Sequence, residues 1–556
     1  MKLTGANIIM ECLKEQGVDT VFGFPGGAAL FIYDALYDCG EINHILTCHE
    51  QHAAHAAEGY ARATGRTGVV FSTSGPGATN LVTGIADAYM DSVPVVAITS
   101  NVSIDLLGKD SFQEIDIAGV TSPITKHNMI VKDIAHLADS IRQAFRIANS
   151  GRKGPVLVDV PKNISAQEYE YTPAEPLPCD HGNAFTPEDI KKAVEAISKA
   201  KRPLIMAGGG IIAADAEAEL AELAKKTGAP VTATLMGIGA YPQDDGQYTG
   251  MVGMHGTKVS ALCVSGCDLL IAVGARFSDR VTSDRTRFAT QAAVLHIDVD
   301  PAEINKNIRA AYEVTGNAKD VLAALNKHVK KTDRSAWQRQ VAEWKTEYPI
   351  AYAEEEEIYP KKIIDTIQKY APEETVYCTE VGQHQMWAAQ FLKINGPRKL
   401  ITSGGLGTMG FGMGASIGAA LGTGRRTVNI AGDGSFHMNM QEIVTAVKYN
   451  VPATIVIMNN QVLGMVRQWQ KMFYNERYCH TTLGEPTDFV KLAEALGAPG
   501  YRVKTPDELD GTMQKAFAHK EGPVLVACDI HMDENVMPMV PTGQSLDDII
   551  LAIDRD

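Results

Sequence analysis

The sequence predicts an α/β fold made of three doubly wound domains, each with a parallel sheet. At 556 residues the chain is too long for one hydrophobic core, since a domain usually has about 100–200 residues. Short runs of β-branched residues alternate with helical stretches along most of the chain, which is typical of parallel sheets with helices on both faces. The sequence has no short-period repeat, so a solenoid is excluded.

The first domain is predicted over residues 1–165. Its first 17 residues have the apolar spacing of an amphipathic helix. Strands are expected at the apolar runs Val21–Pro25, Gly68–Ser74, Val93–Ser100 and Gly154–Pro161. Residues 166–187 contain four prolines and no periodic pattern, so we predict a linker there.

The second and third domains are predicted over residues 188–335 and 359–540. Strands of the second are expected at Pro203–Gly210, Pro230–Gly237, Leu269–Phe277 and Ala293–Pro301. Strands of the third are expected at Glu374–Gly382, Thr427–Phe436, Ala453–Asn460 and Pro523–Ile530. The charged, helical stretch 336–358 is predicted to connect the two domains, and residues 541–556 to form a C-terminal tail.

Composition and charge narrow the class of protein. With 45% hydrophobic and 21% charged residues the chain is an ordinary globular protein. Its 51 basic and 66 acidic residues give a net charge of −15, which argues against nucleic acid or an anionic membrane as the main partner. The nine cysteines are scattered, and the closest pair, Cys263 and Cys267, has neither zinc-site nor CxxC spacing. Since no apolar run approaches the ~20 residues that span a bilayer, we expect a soluble, cytoplasmic protein.

Two polar clusters follow neighbouring predicted strands of the third domain. Gly432, Asp433 and Gly434 come after one apolar strand, and Asn460 follows the next, 27 positions after Asp433. The carboxyl ends of parallel strands are where open α/β sheets bind ligands. Carboxylate, amide and carbonyl oxygens suit Mg²⁺ beside a bound diphosphate. Either cluster alone fits an ordinary strand-to-helix turn equally well, but the pair at this spacing predicts a metal–diphosphate site.

In these features the sequence resembles the family of thiamine-diphosphate-dependent decarboxylases and carboligases, whose fingerprint is GDG, about two dozen residues, then NN. The resemblance implies that Asp433, Asn460 and the carbonyl of Val462 hold Mg²⁺. The family also has a glutamate near its start, which Glu50 supplies within HEQHAAHAAEGYARATG. That glutamate bonds the pyrimidine ring of the cofactor and starts an internal acid–base relay. Alone, Glu50 is read more simply as a solvated charge at a strand end.

The resemblance assigns further thiamine diphosphate contacts by position. Gly407 is expected to accept a hydrogen bond from the aminopyrimidine, and Met409 to wedge beneath the cofactor. The remaining contacts are Pro25, Asn80, Gly382, Gln383, His384, Gly432, Gly434, Ser435, Gly464 and Met465.

Matches along nearly the whole chain, among them SGPGATN, GARFSDRV and GMVRQWQ, resemble one branch, the catalytic subunits of the acetohydroxyacid (acetolactate) synthase family. The implied reaction decarboxylates pyruvate and joins the hydroxyethyl unit to a second pyruvate or to 2-ketobutyrate, in branched-chain amino-acid biosynthesis. The implied substrate contacts are Gly27, Phe112, Gln113, Lys126, Met465 and Trp469. Lys126 is expected to supply positive charge at the entrance, and Trp469 to contact the extra methyl group of 2-ketobutyrate.

The same branch carries a structural FAD in its middle domain. The implied contacts are Arg152, Gly209, Gly210, Thr234, Leu235, Met254, Gly274, Arg276, Arg280, Asp298 and Ala318. Two positions depart from the family pattern, because Ser278 and Asn317 stand where the family usually has aspartates. These departures weaken the expected flavin contacts at both positions.

Three alternatives remain at this stage. Instead of the flavin-containing synthase, the chain would be a related carboligase or decarboxylase with another 2-keto acid, a flavin-free fermentative acetolactate synthase, or a non-catalytic cofactor-binding protein. The presence of Glu50, Asp433 and Asn460 argues against the third. The resemblance further implies a homodimer or a dimer of dimers, with a small regulatory subunit as a second partner.

Overall fold

A computed structural model describes residues 1–350, 357–484 and 487–553 of the chain. These residues contain three six-stranded parallel sheets and one two-stranded antiparallel sheet. The prediction of three doubly wound α/β domains is confirmed. No helix in the described ranges is long and apolar enough to span a membrane.

The N-terminal domain surrounds the first six-stranded sheet. Its strands, with the antiparallel pair β1 and β8, are β1 Lys2–Thr4, β2 Thr20–Gly23, β3 Asn43–Leu46, β4 Gly68–Ser72, β5 Val95–Asn101, β6 His127–Ile130, β7 Val156–Pro161 and β8 Glu168–Glu170. Its helices are α1 Gly5–Glu15, α2 Leu30–Asp38, α3 Glu50–Thr64, α4 Pro76–Asn80, α5 Val82–Asp91, α6 Ile117–Thr121, α7 Leu137–Asn149 and α8 Lys162–Ala166. The strand order is β3-β2-β4-β5-β7-β6.

The central domain repeats this layout. Its strands are β9 Pro203–Ala207, β10 Val231–Ala233, β11 Tyr248–Met251, β12 Leu269–Val273, β13 Ala293–Asp298 and β14 Tyr312–Thr315. Its helices are α9 Pro187–Lys199, α10 Gly209–Ala213, α11 Glu217–Thr227, α12 Lys258–Gly266, α13 Asp279–Thr282, α14 Ala318–His328 and α15 Ser335–Glu347. The strand order is β11-β10-β9-β12-β13-β14.

The C-terminal domain holds the third sheet. Its strands are β15 Val376–Thr379, β16 Leu400–Ile401, β17 Thr427–Gly432, β18 Ala453–Asn459, β19 Gly500–Val503 and β20 Val524–Asp529. Its helices are α16 Pro360–Tyr370, α17 Gln383–Phe391, α18 Gly412–Thr423, α19 Asp433–Phe436, α20 Glu442–Lys448, α21 Gly464–Phe473, α22 Phe489–Ala495 and α23 Pro506–Ala518. The strand order is β16-β15-β17-β18-β20-β19.

The predicted runs coincide with the four inner strands of every sheet and with none of the edge strands. Inner strands are buried on both faces and therefore read as continuous apolar runs, as in β4 and β12. Edge strands keep polar, partly exposed residues, as in β6 with the sequence HNMI and β14 with YEVT. Because their apolar signal is short and interrupted, the edges were missed.

Two details differ from the expectations, and a third adds to them. The first helix begins only at Gly5, because residues 2–4 form a strand that pairs with β8. Strand β8 lies inside the predicted linker 166–187. The predicted connector begins with a helix, α15, whose Trp337 and Val341 pack into the central domain. Within the connector, residues 351–356 lie outside the described residues. So does the end of the predicted tail, residues 554–556, whereas Leu546 and Ile549 pack against the central domain.

Helices α3 and α18 join the N-terminal and C-terminal domains at very close range. A Cβ on Gly418 would overlap the carbonyl oxygen of Ala56, and one on Gly59 would overlap that of Ala415. Only glycine permits such an approach of two helix backbones. The contact fixes α3, the helix that begins at Glu50, against the C-terminal domain.

Candidate active site

Glu50 is the first residue of α3, and three residues separate it from the end of β3. Its side chain is buried, and Oε2 accepts a 2.9 Å hydrogen bond from the side-chain amide of Asn80. The N-terminus of a helix favours a negative charge. Oε1 faces Gly77, where an added Cβ would lie 3.2 Å away. The sequence-predicted pair Glu50 and Asn80 is therefore in direct contact.

The Thr73 side chain lies close to two glycines near Glu50. An added Cβ on Gly26 or on Gly77 would collide with the Thr73 side chain, so the loop between Pro25 and Gly27 lies against the Glu50 neighbourhood. Gly75 has a φ of +60° and lies beside the Gln113 backbone. The neighbouring Phe112 side chain is 87% exposed. This half of the site opens to the outside of the chain.

Asp433 and Asn460 lie on adjacent loops, as the spacing predicts, because β17 and β18 are parallel neighbours. Asp433 Oδ1 accepts from the Gly434 amide at 2.9 Å, and Oδ2 accepts from the Gln461 amide at 2.7 Å. Asn460 Oδ1 accepts from the Val462 amide at 3.2 Å. Burial raises the pKa of Asp433 to about 6, and a nearby cation would favour its charged form.

Gln383 joins this cluster to helix α21. Its Oε1 accepts from the Asn460 side-chain amide at 3.3 Å, and its Nε2 donates to Gln468 at 3.0 Å and to the carbonyl of Glu534 at 2.7 Å. A Cβ on Gly464 would overlap Gln383 Oε1. The predicted residues Gln383, Asn460 and Gly464 thus form one packed group.

The His384 imidazole lies against two predicted glycines. An added Cβ on Gly382 would lie 2.9 Å from the ring, and one on Gly432 would lie 2.6 Å from it. Burial lowers the pKa of His384 to about 3, so the ring is neutral. The ring therefore fills the space between the loop that carries Gly382 and the loop that carries Gly432.

Glu380 was not predicted, although it occupies the same kind of position as Asp433, directly after an apolar strand. It is fully buried and accepts hydrogen bonds at 3.0 Å from the amides of Gly410 and Met413, and at 2.8 Å from the Ser435 hydroxyl. The side-chain amide of Asn439 also donates to it. Glu380 therefore ties the loop of Met409 to the GDG turn.

A cavity of about 1160 Å³ runs from the central domain to the C-terminal domain. All eleven residues that the resemblance assigns to a flavin line it, as do Ser278 and Asn317. Gly382, Gly407, Met465 and Trp469 line it as well. Glu50 and Asn80 are not among the described residues of its wall.

The polar groups of this cavity suit an anionic ligand at one end. Five arginines line its wall: Arg62, Arg152, Arg276, Arg280 and Arg398. Arg152 is paired with Glu303 at 2.9 Å. Burial raises the pKa of Asp298 to about 6 and lowers that of Arg276. Glycine backbones approach closely at the same wall, since a Cβ on Gly210 would lie 2.6 Å from the Gly274 Cα.

Lys126, expected at an entrance that a second copy of the chain helps to form, contacts a helix end of its own chain, and its role at the entrance stays a prediction. Its ammonium donates to the carbonyl oxygens of Ile147 and, at 2.5 Å, Ser150, at the end of helix α7, where cations are favoured. Burial lowers its pKa to about 8. Within this chain its positive charge therefore serves the helix end.

Comparison with known proteins finds relatives that match nearly the whole chain. Three family models match consecutive parts: the N-terminal TPP binding domain of thiamine pyrophosphate enzymes at residues 3–120, the central domain at 190–325, and the C-terminal TPP binding domain at 380–528. The acetolactate synthase large subunit of Parasynechococcus marenigrum is 46% identical, across 98% of this chain and 90% of its own length. The isozyme 2 large subunit of Escherichia coli acetolactate synthase is 45% identical, across 98% of both chains.

The chain belongs to the acetolactate synthase family. A probable acetolactate synthase large subunit of Methanocaldococcus jannaschii, 45% identical over 99% of this chain, extends the relationship. In this acetolactate synthase family member, the matched residues of the two thiamine pyrophosphate binding domains include β2–β5 of the first sheet and β16–β19 of the third. Glu50 and Asn80 belong to one of these domains, and Asp433 and Asn460 to the other.

Proposed function

We propose that this protein is the catalytic subunit of an acetolactate synthase in branched-chain amino-acid biosynthesis. It decarboxylates pyruvate and joins the hydroxyethyl unit to a second pyruvate or to 2-ketobutyrate. The observation that carries the proposal is about 45% identity to acetolactate synthase large subunits over nearly the full chain. The contact between Glu50 and Asn80 and the cluster around Asp433 support it.

Glu50 is the residue that exchanges a proton with the cofactor. Bound thiamine diphosphate supplies the nucleophilic carbon and the electron sink for decarboxylation. The Glu50 carboxyl holds a proton at the pyrimidine ring, while the Asn80 amide orients Oε2. General acid–base help of this kind contributes roughly 10²–10⁴-fold to a rate.

Asp433, Asn460 and Val462 would hold the Mg²⁺ that neutralises the diphosphate. The donor set fits, because the Asp433 carboxylate is buried and no lysine or arginine among the described residues lies within 4.0 Å of it. A buried carboxylate is costly unless it meets a cation or enough hydrogen bonds. Hard oxygen donors are those that Mg²⁺ prefers.

Met465 and Trp469 border the acceptor pocket on helix α21. Both line the cavity, and the Trp469 ring meets Phe473 edge-to-face with 5.9 Å between centroids. That contact fixes the plane of the indole ring. One extra methyl group against such a wall contributes roughly 1–3 kcal/mol to discrimination, which favours 2-ketobutyrate over pyruvate as acceptor.

The cavity of the central domain would hold FAD in a structural role. Its volume, the arginines in its lining and the glycine backbones at its wall fit a dinucleotide. The reaction involves no net redox change, so the flavin contributes binding energy and shape. This observation favours the flavin-containing branch over the fermentative one.

The active site is completed by a second copy of the chain. Glu50 and its neighbours lie outside the cavity that Gly407 and Trp469 line. Large exposed apolar side chains occur near each half: Phe24, Leu30, Phe31 and Phe112 in the N-terminal domain, and Leu406, Met438, Val444 and Val466 in the C-terminal domain. Exposed apolar surface of this kind marks association sites. Because the relatives are named large subunits, we propose a small regulatory subunit as a further partner.

Co-expression of Glu50→Gln with Asp433→Asn tests the shared site. If each site takes Glu50 from one copy and Asp433 from the other, a mixed dimer contains one intact site and regains activity that neither variant has alone. If both residues of a site come from one chain, every site in the mixture is damaged, and no activity returns.

The function is tested by incubating the purified protein with pyruvate, thiamine diphosphate and Mg²⁺ and measuring acetolactate. Adding 2-ketobutyrate should yield the corresponding mixed product. Absence of either product, with or without 2-ketobutyrate, contradicts the proposal.

A further inference from the structure

The loop of residues 403–408, which carries Gly407, is held by two aspartates of another domain. Both aspartates lie on helix α5. Asp87 Oδ1 accepts from the Ser403 hydroxyl at 2.5 Å and from the Thr408 hydroxyl at 3.3 Å. Asp91 accepts from two successive backbone amides, Gly404 at 2.9 Å and Gly405 at 2.7 Å. Four hydrogen bonds thus join the N-terminal domain to this loop.

The same hydrogen bonds close the loop around Gly407. The Ser403 hydroxyl accepts from the Thr408 amide at 2.9 Å while it donates to Asp87. The hydrogen bond between Ser403 and Thr408 therefore joins the two ends of the segment 404–407. Gly407 itself has a φ of +71°, in the left-handed region that favours glycine. Its backbone direction thus depends on the anchored ends.

The loop is also a wall of the large cavity. Residues 403–407, together with Asp91 and Arg62, line it. No regular secondary structure supports these residues, which lie between β16 and α18. Any shift of the loop would therefore change the cavity where a cofactor is expected to bind.

The charges around α5 keep the Asp91 oxygens available as acceptors. Arg62 lies 3.2 Å from Asp91 and 3.0 Å from Glu58, so one guanidinium faces three carboxyl groups when Asp87 is counted. Burial and the neighbouring Asp87 raise the pKa of Glu58 well above its usual range. The Arg62 guanidinium supplies a positive charge beside Asp91. Charged acceptors make stronger hydrogen bonds than neutral ones.

We propose that Asp87 and Asp91 are positioning residues for thiamine diphosphate. They fix the backbone of loop 403–408, and through it the Gly407 carbonyl, and they act through the loop. This inference rests on the proposed role of Gly407 in binding the cofactor. A purely structural role would instead lower the stability of the fold and leave cofactor affinity unchanged.

The test compares Asp91→Asn with Glu15→Gln. Glu15 is a matched control, since its carboxylate is largely buried in the same domain and accepts from Arg142 and from the backbone amide of Ala174, each at 2.8 Å. Cofactor binding is titrated by calorimetry in excess Mg²⁺, and the thermal midpoint of the cofactor-free protein is recorded. We expect Asp91→Asn to raise the dissociation constant for thiamine diphosphate at least about tenfold. Glu15→Gln should leave that constant unchanged even if the thermal midpoint falls.

Ser403→Ala provides a second variant, because it removes only the hydroxyl that links Asp87 to the loop. It should weaken cofactor binding in the same direction with a near-normal thermal midpoint. The inference is overturned if both loop variants bind thiamine diphosphate as the unmodified protein does, or if Glu15→Gln weakens binding equally. A failure of the proposed function is distinct, since the unmodified protein itself would then bind no thiamine diphosphate.

Discussion

The side-chain amide of Asn80 donates a 2.9 Å hydrogen bond to Oε2 of Glu50. The carboxylate stands at the first position of α3, and the amide at the last position of α4. Two short connections, after β3 and after β4 on the two sides of β2, thus bring an acid and its orienting partner together. The amide holds one carboxylate oxygen, and the other faces the Gly77 backbone.

Glu50→Gln should lose most of the turnover while the protein still folds. The amide preserves the size of the side chain but cannot exchange the proton, and such catalysis contributes roughly 10²–10⁴-fold. Acetolactate formation at saturating cofactor measures the loss, and the thermal midpoint serves as the control for folding. Near-normal turnover would refute the role of Glu50.

Asp433→Asn should greatly raise the Mg²⁺ concentration that the protein needs for cofactor binding. The substitution removes the one carboxylate from the proposed ligand set, and Mg²⁺ depends on such ligands. Titration of Mg²⁺ at fixed thiamine diphosphate measures the shift. Removal of metal from the unmodified protein with a chelator should abolish activity, and added Mg²⁺ should restore it. A variant with an unchanged Mg²⁺ requirement would place the metal elsewhere.

Arg276→Ala should release flavin from the purified protein. Arg276 lines the cavity of about 1160 Å³, and its loss removes one of the five arginines there. The absorption spectrum of the purified protein, with Glu50→Gln as the matched variant outside the cavity, reports bound flavin. We expect flavin absorption in the unmodified protein and in Glu50→Gln, and less in Arg276→Ala. A colourless unmodified protein would favour the flavin-free branch.

Trp469→Leu should shift the choice of acceptor towards pyruvate. The smaller side chain gives up contact with the extra methyl group of 2-ketobutyrate, an effect of roughly 10-fold or more. Competition between the two acceptors in one reaction, with both products quantified, measures the ratio. If the ratio stays the same while total activity falls, Trp469 supports the pocket without selecting the acceptor.

Gly418→Ala should destabilise the protein, whereas Gly511→Ala should not. Both glycines lie within helices, but a Cβ on Gly418 would overlap the Ala56 carbonyl, and one on Gly511 meets nothing within 4 Å. Overpacking costs typically 1–3 kcal/mol, while glycine to alanine in an open helix gains up to about 1 kcal/mol. Thermal denaturation of the two variants gives the comparison. Equal thermal midpoints for the two variants would mean that α3 and α18 can move apart at little cost in stability.

Much of this fold was predictable because inner parallel strands carry a strong apolar signal. The positions of Asp433 and Asn460 followed from it, since adjacent parallel strands end at the same edge. Edge strands such as β6 and the pairing of β1 with β8 depend on tertiary contacts that a local pattern does not encode. The same limit hid the bonds of Asp87 and Asp91 to a loop more than 300 positions away in the chain.

Lys126 illustrates a different limit. The resemblance implies a positive charge at an entrance formed with a second copy, which stays a prediction; in its own chain the ammonium caps the end of α7. Resemblance transfers the residue type, and the rotamer depends on which carbonyl oxygens are within reach. Glu380 was missed although the sequence contains a signal for it. Like Asp433, it is an acidic residue directly after an apolar strand, a position that predicts a functional or structural role at the edge of the sheet.

The carbon balance of the pyruvate reaction tests the central claim most directly. With pyruvate as the sole substrate, an acetolactate synthase consumes two pyruvates for each CO₂ released and forms one acetolactate. We predict that ratio, with full dependence on thiamine diphosphate and Mg²⁺. One pyruvate consumed per CO₂, with acetaldehyde as the product, would show a simple decarboxylase and contradict the account.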